Sequence, residues 1–472
     1  MNKMGTTKRL PTPIGRQKEV LCLPAQGHFA VLGTAGSGKT TLAILRSAYL
    51  SDPRTDHSGR TLLVTFNRAL VAYLRHLQDR DLSDVVVENY HTFARGYLNS
   101  REKMSRNGIC SDLDERKRLI ERAKNEVAAR YEKHSFFDRP IDVYSEEIRW
   151  ISQHGISSLK AYTSAERIGR SGARIARKYR KVMFEIYENY IQKRTESGKL
   201  YDWDDLASAT RQELEHDDSP RLYQHIVIDE GQDFSPEMIR SLALAIPPDG
   251  SLTFFGDVAQ QIYGHRMSWR SAGLKIGKVW EFKENYRNSK QIAKLGLAIS
   301  GMPFFRDMPD LVEPVSPTAD GPLPTLVKCP STEKEIELVV EQAHEAARTL
   351  SVAILFRSRA DEDLVVPHLR SHAIRLHRNM STWQSGPGIR YGTYHSAKGL
   401  EFDAVILPFF SQERLPDPET VSTFGKAEAM IQDGRLIYVA TTRAKTRLII
   451  TYTGKITELL PPDPSLYKRV SL

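Results

Sequence analysis

Cysteine is scarce in this chain: Cys22, Cys110 and Cys329 are the three among 472 residues, and they lie far apart. They form no CxxC pair and no Cys/His cluster at zinc-ligand spacing, which excludes a disulfide scaffold and a thiolate metal site. A reduced, cytoplasmic chain is the expectation. Long apolar runs are absent too. None approaches the ~18 residues a spanning helix needs, and the mean hydropathy is −0.42, so no membrane role is expected. The stretch through Pro13 carries charge without an apolar segment and does not read as a secretory signal. Solenoid-type repeats are missing. There is no acidic excess: Lys plus Arg is 67 against 58 for Asp plus Glu, a formal charge of +9. That mild balance permits an anionic partner without naming one. At roughly 150 residues per domain, the length allows about three folding units.

What is there is an alternation of strands and helices. His28–Leu32, Thr61–Phe66, Ile226–Ile228 and Leu252–Phe255 are short apolar runs that end in glycines or polar residues. Such runs fit a parallel sheet buried on both faces, with ligands bound at the carboxyl ends of its strands. Residues 100–220 are charged, helical and strand-poor, with Tyr179, Val182, Met183, Ile186, Tyr187 and Tyr190 at helical spacing. Gly301 to Pro330 is proline-rich and reads as a boundary or irregular loop. Alternation then resumes: strands at Val352–Phe356 and Ala404–Leu407, helices at Asp361–Arg370 and Ala427–Ala440, and a last strand at Leu448–Tyr452. The predicted class is α/β. The predicted units are 1–99 and 221–277 as one sheet domain, 100–220 as a helical insertion within it, and 278–472 as a second sheet domain.

Two local patterns carry chemistry. Gly33-Thr34-Ala35-Gly36-Ser37-Gly38-Lys39-Thr40 has the phosphate-loop spacing and sits between a predicted strand and a predicted helix. Its glycines let backbone N–H groups face phosphates, Lys39 would reach the β- and γ-phosphates, and Thr40 would hold magnesium. Ile226-Val227-Ile228-Asp229-Glu230 is a buried strand tipped by two carboxylates. Beside a phosphate loop, Asp229 would hold magnesium and Glu230 would activate the attacking water.

Further motifs follow in order. Asp229-Glu230-Gly231-Gln232-Asp233 resembles the DEXQD box of the UvrD/Rep/PcrA group of superfamily 1 helicases. Gly256 to Arg266 resembles that group's GDxxQSIYxxR motif, and Asn285-Tyr286-Arg287 its NYR motif. Thr393 to Phe402 resembles TxHxxKGLEF, and Arg435 to Ala444 resembles RLxYVAxTRA. The likeness runs from Gln17 to about Thr453. It implies two RecA-like P-loop NTPase domains with a helical insertion in the first. It implies an ATP- and Mg2+-dependent helicase or translocase moving 3′-to-5′ on single-stranded DNA and at duplex junctions. Gln17 would read adenine, Tyr286 would stack on it, and Glu401 would contact the ribose. Gly36, Ser37, Gly38, Lys39, Thr40 and Thr41 would cradle the nucleotide. Gln260 would couple hydrolysis to the DNA track, while Arg287 and Arg443 would neutralise charge on the γ-phosphoryl group.

Candidates for the strand track are Phe66, His91, Phe93, Tyr263, His265, Thr393 and His395: aromatic faces for bases and polar groups for phosphates. His265 stands where some members have tryptophan. RNA in place of DNA is an open alternative. So is an ATP-gated DNA-sensing subunit that controls a partner nuclease in repair or anti-phage defence. Arg287 to Thr393 is little more than an α/β half-domain needs, so a second large helical insertion is not expected. Asp202, Asp204 and Asp205 read as helix capping at a domain junction rather than a second metal site. The basic stretch from about Arg167 to Lys199 reads as a surface that strand or duplex approaches. Tyr438 reads as a core aromatic.

Overall fold

The computed structural model describes residues 13, 15–34, 36–66, 70–72, 85–165, 175–257, 269–270, 272–282, 288–305, 319–369, 373–377 and 383–472. In chain order, β1 (Gly27–Gly33), β2 (Thr61–Thr65) and β3 (Val85–Asn89) enter a first sheet. Two short strands, β4 (Ile109–Cys110) and β5 (Tyr201–Asp202), pair with each other. Then β6 (His225–Ile228), β7 (Ser251–Gly256) and β8 (Ile276–Phe282) return to the first sheet. The second sheet takes β9 (Thr325–Cys329), β10 (Ser351–Phe356), β11 (Ile374–Arg375), β12 (Gly388–Thr393), β13 (Phe402–Leu407), β14 (Ala444–Thr453) and β15 (Lys468–Ser471).

The first sheet is ordered β3-β2-β6-β7-β1-β8 and the second β11-β12-β10-β13-β14-β9-β15. Neighbours run parallel in both. Central strands such as β2, β6 and β7 are buried along their whole length, because helices cover both faces and no residue faces water. Parallel pairing puts the carboxyl ends of all strands on one edge. The order then decides what meets there: β6, β7 and β1 are neighbours, so the residues after them converge.

Several expectations need correction. The boundary placed between 277 and 278 cuts β8, which pairs with β1 from His28↔Ile276 to Gly33↔Phe282; the first sheet extends through Phe282. The proline-rich stretch hides β9, an interior strand between β14 and β15. Leu448–Tyr452 is not the last strand, since β15 follows. The helix Leu206–Glu215 lies in the expected insertion, yet Leu206, Ala207 and Leu214 pack into the first sheet's core.

The rest of that segment has its own core. Helices Leu113–Ala128, Ile141–Gln153, Leu159–Ser164 and Arg180–Glu196 bury Ile120, Tyr144, Ile148, Tyr162, Met183 and Tyr190 together. Asp112 and Ser158 cap two of these helices through the N–H groups of Glu115 and Ala161. The capping reading of Asp202, Asp204 and Asp205 holds in part: Asp202 Oδ1 accepts from the N–H groups of Asp204 and Asp205 at 2.8 and 3.1 Å, in the turn that leads into Leu206–Glu215. Asp205 stands at the N-cap of Leu206–Glu215 without a side-chain cap bond; it accepts from the Asp202 N–H at 2.9 Å instead. The three carboxylates pair with arginines of the insertion: Arg116 with Asp202 and Asp204 at 3.3 and 3.0 Å, Arg194 with Asp205 at 2.6 Å, and Arg149 with Asp204 at 3.6 Å.

The basic stretch is partly used internally as well. Arg180 donates to the carbonyls of Tyr162, Thr163 and Ala165, and Arg194 is almost fully buried. Residues 166–174 of that stretch lie outside the described residues. Tyr438 is a core aromatic, buried with Leu436 and Val439. Among the described residues, no helix is long and apolar enough to cross a membrane.

Candidate nucleotide cleft and strand face

The phosphate loop joins β1 to the helix Lys39–Leu50. Gly38 is that helix's N-cap in the left-handed region, at φ +82°, a conformation only glycine adopts without strain. The loop leads into a helix N-terminus, where free N–H groups and the helix dipole favour an anion. Gly36, Ser37, Gly38, Lys39, Thr40 and Thr41 all line this turn, and Ser37 and Lys39 are buried. The Lys39 ammonium is folded onto its own loop: it donates to the carbonyls of Gly33 and Thr34 at 2.7 and 2.6 Å and lies 3.6 Å from Asp257. Gln17, on the helix Arg16–Leu21, donates its side-chain amide to the Ser37 carbonyl at 3.3 Å. Arg46, unread in the sequence, ties that helix to the loop: it is fully buried and donates to the carbonyls of Leu21, Leu23 and Pro24 at 2.7 Å.

The acid tip follows β6. The Asp229 N–H bonds the Val64 carbonyl at 2.9 Å, holding the tip against β2. Glu230 has φ +53°, uncommon for a residue with a Cβ; such backbone strain concentrates at working sites. Gly231 is required by space, since a Cβ there would sit 2.3 Å from the Phe254 ring. Burial, reinforced by the neighbouring Glu230 charge, pushes the Asp229 carboxyl up to about 7, opposed by a hydrogen bond from Thr40 and the Lys39 charge. Its Oδ2 has no hydrogen-bond partner among the described residues. Glu230 goes the other way. Burial alone would raise it, but the charges of Lys398, Arg443 and Lys39 outweigh burial and hold it below the usual range. Gln232 donates to Glu230 and accepts from the Asp257 N–H at 2.8 Å, linking the tips of β6 and β7.

Lys398 and Arg443 come from the other sheet. Lys398 follows β12 and forms a buried ion pair with Asp233. Burial raises Asp233 to about 6 even so, with Lys398 opposing the rise. Arg443 follows the helix Lys426–Thr441 and is fully buried. Its Nε donates to the Val439 carbonyl at 3.0 Å and its Nη1 to the Leu400 carbonyl at 3.3 Å. Glu401 sits at the edge of this group, partly exposed and 3.7 Å from Lys445. The roles of Lys398, Asp233, Gln232 and Asp257 were missed. Each stands inside a quoted motif, but its partner is on another strand. Gln260, Tyr263, His265, Tyr286 and Arg287 lie outside the described residues.

On the strand face, Phe66 follows β2 and His91 stands in the first turn of the helix Tyr90–Ser100, which Asn89 caps through the Thr92 N–H. Their rings lie 5.5 Å apart, and Trp203 lies 5.2 Å from His91 at 84°. Trp203 is an addition the sequence reading did not make. Phe93 is a correction: it is buried in the first sheet's core with Tyr90 and Tyr223. Helical geometry explains this, because residues two apart face opposite sides. Thr393 ends β12 and His395 follows it, with His395 exposed and Tyr394 buried between them.

A magnesium ion fits this donor set. The Thr40 hydroxyl and Asp229 carboxylate are hard oxygen ligands, and the unpartnered Oδ2 is a buried acceptor with no other use. Magnesium usually takes one or two carboxylates plus phosphates. Among the described residues, no group of three or more His, Cys, Asp or Glu could hold a metal ion.

Comparison with known proteins adds a family. The UvrD/REP helicase N-terminal domain matches residues 15–278, and the UvrD-like helicase C-terminal domain matches 377–455. A putative ATP-dependent DNA helicase YjcD of Bacillus subtilis is 26% identical over 57% of this chain and 34% of its own length. A probable DNA helicase of Mycoplasma pneumoniae is 23% identical over 90% of this chain and 80% of its own length. The ATP-dependent DNA helicase PcrA of Staphylococcus epidermidis is 24% identical over 57% of this chain and 35% of its own length. The matched region thus spans about a third of the YjcD and PcrA sequences. The chain belongs to the UvrD/REP helicase family.

Proposed function

We propose that the chain is an ATP-driven motor that moves 3′-to-5′ on single-stranded DNA and separates duplex at a junction. One observation carries the reading: Lys398 of the second sheet forms a buried ion pair with Asp233 at the tip of the first, and its charge, with those of Arg443 and Lys39, lowers the proton affinity of Glu230. A hydrolytic base whose ionisation depends on another sheet makes turnover depend on how the sheets close. On this reading they are two RecA-like motor domains, and the helical segment beginning near residue 100 is an accessory insertion in the first.

Lys39 exchanges its loop carbonyls for the β- and γ-phosphates of ATP, and Gln17 holds the adenine edge. Thr40 and Asp229 hold magnesium, which when bound neutralises phosphate charge. Glu230 accepts the proton of the attacking water. Arg443, with Arg287, meets charge that develops on the transferred group. Phe66, His91 and Trp203 in one sheet and Thr393 and His395 in the other offer grips for a strand. Polarity rests on the family likeness alone. Unwinding of 3′- and 5′-tailed duplexes tests the proposal. Strand separation confined to the 3′-tailed substrate is expected, and ATP-dependent separation of the 5′-tailed one alone overturns the polarity.

A further inference from the structure

Asn288 follows directly on Arg287 in the chain and is 2% exposed. Its side-chain amide donates to the carbonyl of Thr442 at 3.1 Å and to that of Ala444 at 2.5 Å. Those two residues flank Arg443. The attachment continues one residue on, where the Ser289 N–H bonds the Lys445 carbonyl at 2.8 Å. The Arg443 carbonyl itself accepts from the Phe402 N–H at 3.1 Å. Every carbonyl from Thr442 to Lys445 therefore accepts from a specific donor on another segment of the chain. These bonds hold the turn between the helix Lys426–Thr441 and β14, where Arg443 stands.

Residue type is decisive at position 288. A primary amide offers two N–H groups from one nitrogen. Aspartate has the same shape but only acceptors, and would face two carbonyl oxygens. Serine has one donor on a shorter stem.

We infer that Asn288 is a positioning residue for ATP turnover: it holds the backbone on either side of Arg443 and so fixes where that guanidinium is delivered. The inference rests on the reading of Arg443 given above. What separates it from ordinary packing is its target, which is the backbone on either side of the arginine.

The test uses full-length N288D, N288A, N288S, R443A and the N288A/R443A pair. Steady-state ATP hydrolysis is measured with saturating oligothymidylate, alongside thermal melting. A misplacement of this kind can cost up to about 100-fold in rate. N288D and N288A should lower kcat by about 10- to 100-fold with KM changed by less than about threefold. N288S, which keeps one donor, should lose less. The double variant should be no slower than R443A, because the two residues act through one group. If N288A does not fold, N288S alone and in the R443A background carries the same comparison. Wild-type kcat in folded N288D and N288A, or an N288A loss that multiplies fully onto that of R443A, overturns the inference while the cleft reading stands. Wild-type turnover in R443A itself removes the cleft reading and the inference with it.

Discussion

Two groups of carboxylates can be set side by side: buried Asp202 with half-buried Asp204 and Asp205 at the base of the insertion, and buried Asp229, Glu230 and Asp233 at the tip of β6. At the insertion, Arg116, Arg149 and Arg194 supply the cations, and Tyr190 adds a hydroxyl to Asp202 at 2.8 Å. Burial would raise Asp202, but Arg116 and Arg194 overcome it and hold the carboxyl down at about 2. At the β6 tip, Asp229 Oδ2 has no partner among the described residues, and the cations acting on Glu230 come partly from another sheet. A cluster whose carboxylate oxygens are all paired fixes one geometry. An unsaturated one leaves room for a cation and for a change of partners. The same residue type thus serves as cement in one place and as machinery in the other.

Substitutions can break or sharpen that contrast. The largest effect is expected at Lys39→Ala, which should reduce ATP turnover by about 10³-fold or more while moving the melting temperature little. Unchanged turnover in a coupled ATPase assay would refute the phosphate-loop assignment. Next is Arg194→Met. Removing one partner of a buried pair costs about 3–5 kcal/mol, so urea unfolding should shift strongly. A shift near zero would show that the insertion cluster is not cement. Lys398→Ala comes third. It removes a charge that keeps Glu230 ionised, so the Glu230 carboxyl rises and the acidic limb of the kcat–pH profile moves to higher pH. A limb that stays in place would take Lys398 out of the electrostatics.

The smallest effect concerns Asp205. Burial and the adjacent Asp202 raise its carboxyl to about 7, with Arg194 opposing. The folded state then binds this proton more tightly than the unfolded chain, whose carboxyl titrates near 4. Stability from this group is therefore full at low pH and lost as pH rises to about 7. Asp205→Asn should flatten that decline in unfolding experiments at pH 4.5 and 7.5. An unchanged slope would place the titration elsewhere.

What could be read in the sequence follows from how local each signal is. Gly33 to Thr40 and Asp229-Glu230 are contiguous, each attached to a continuous apolar strand, so both were legible. The strand β8 was not, because Lys278 and Glu281 interrupt it at an edge that is only partly buried. Prolines masked β9. The cap-type bonds within 202–205 were legible because they join neighbours in one turn. The arginine pairing was not, since Arg116 lies 86 residues away from Asp202. Lys398 and Asp233 are separated by 165 residues, a pairing no spacing reveals. Phe93 was legible in principle, since an outward His91 in a helix turns its second neighbour inward.

Coupling between the sheets is tested most directly by ATP hydrolysis of the wild-type chain and of E230Q, each with and without oligothymidylate. Wild-type turnover should rise on adding the strand. E230Q should bind ATP yet lose about 10²–10⁴-fold in turnover with the stimulation gone. Wild-type hydrolysis indifferent to any single strand, or E230Q turning over at the wild-type rate, would contradict a strand-driven motor built on this cleft.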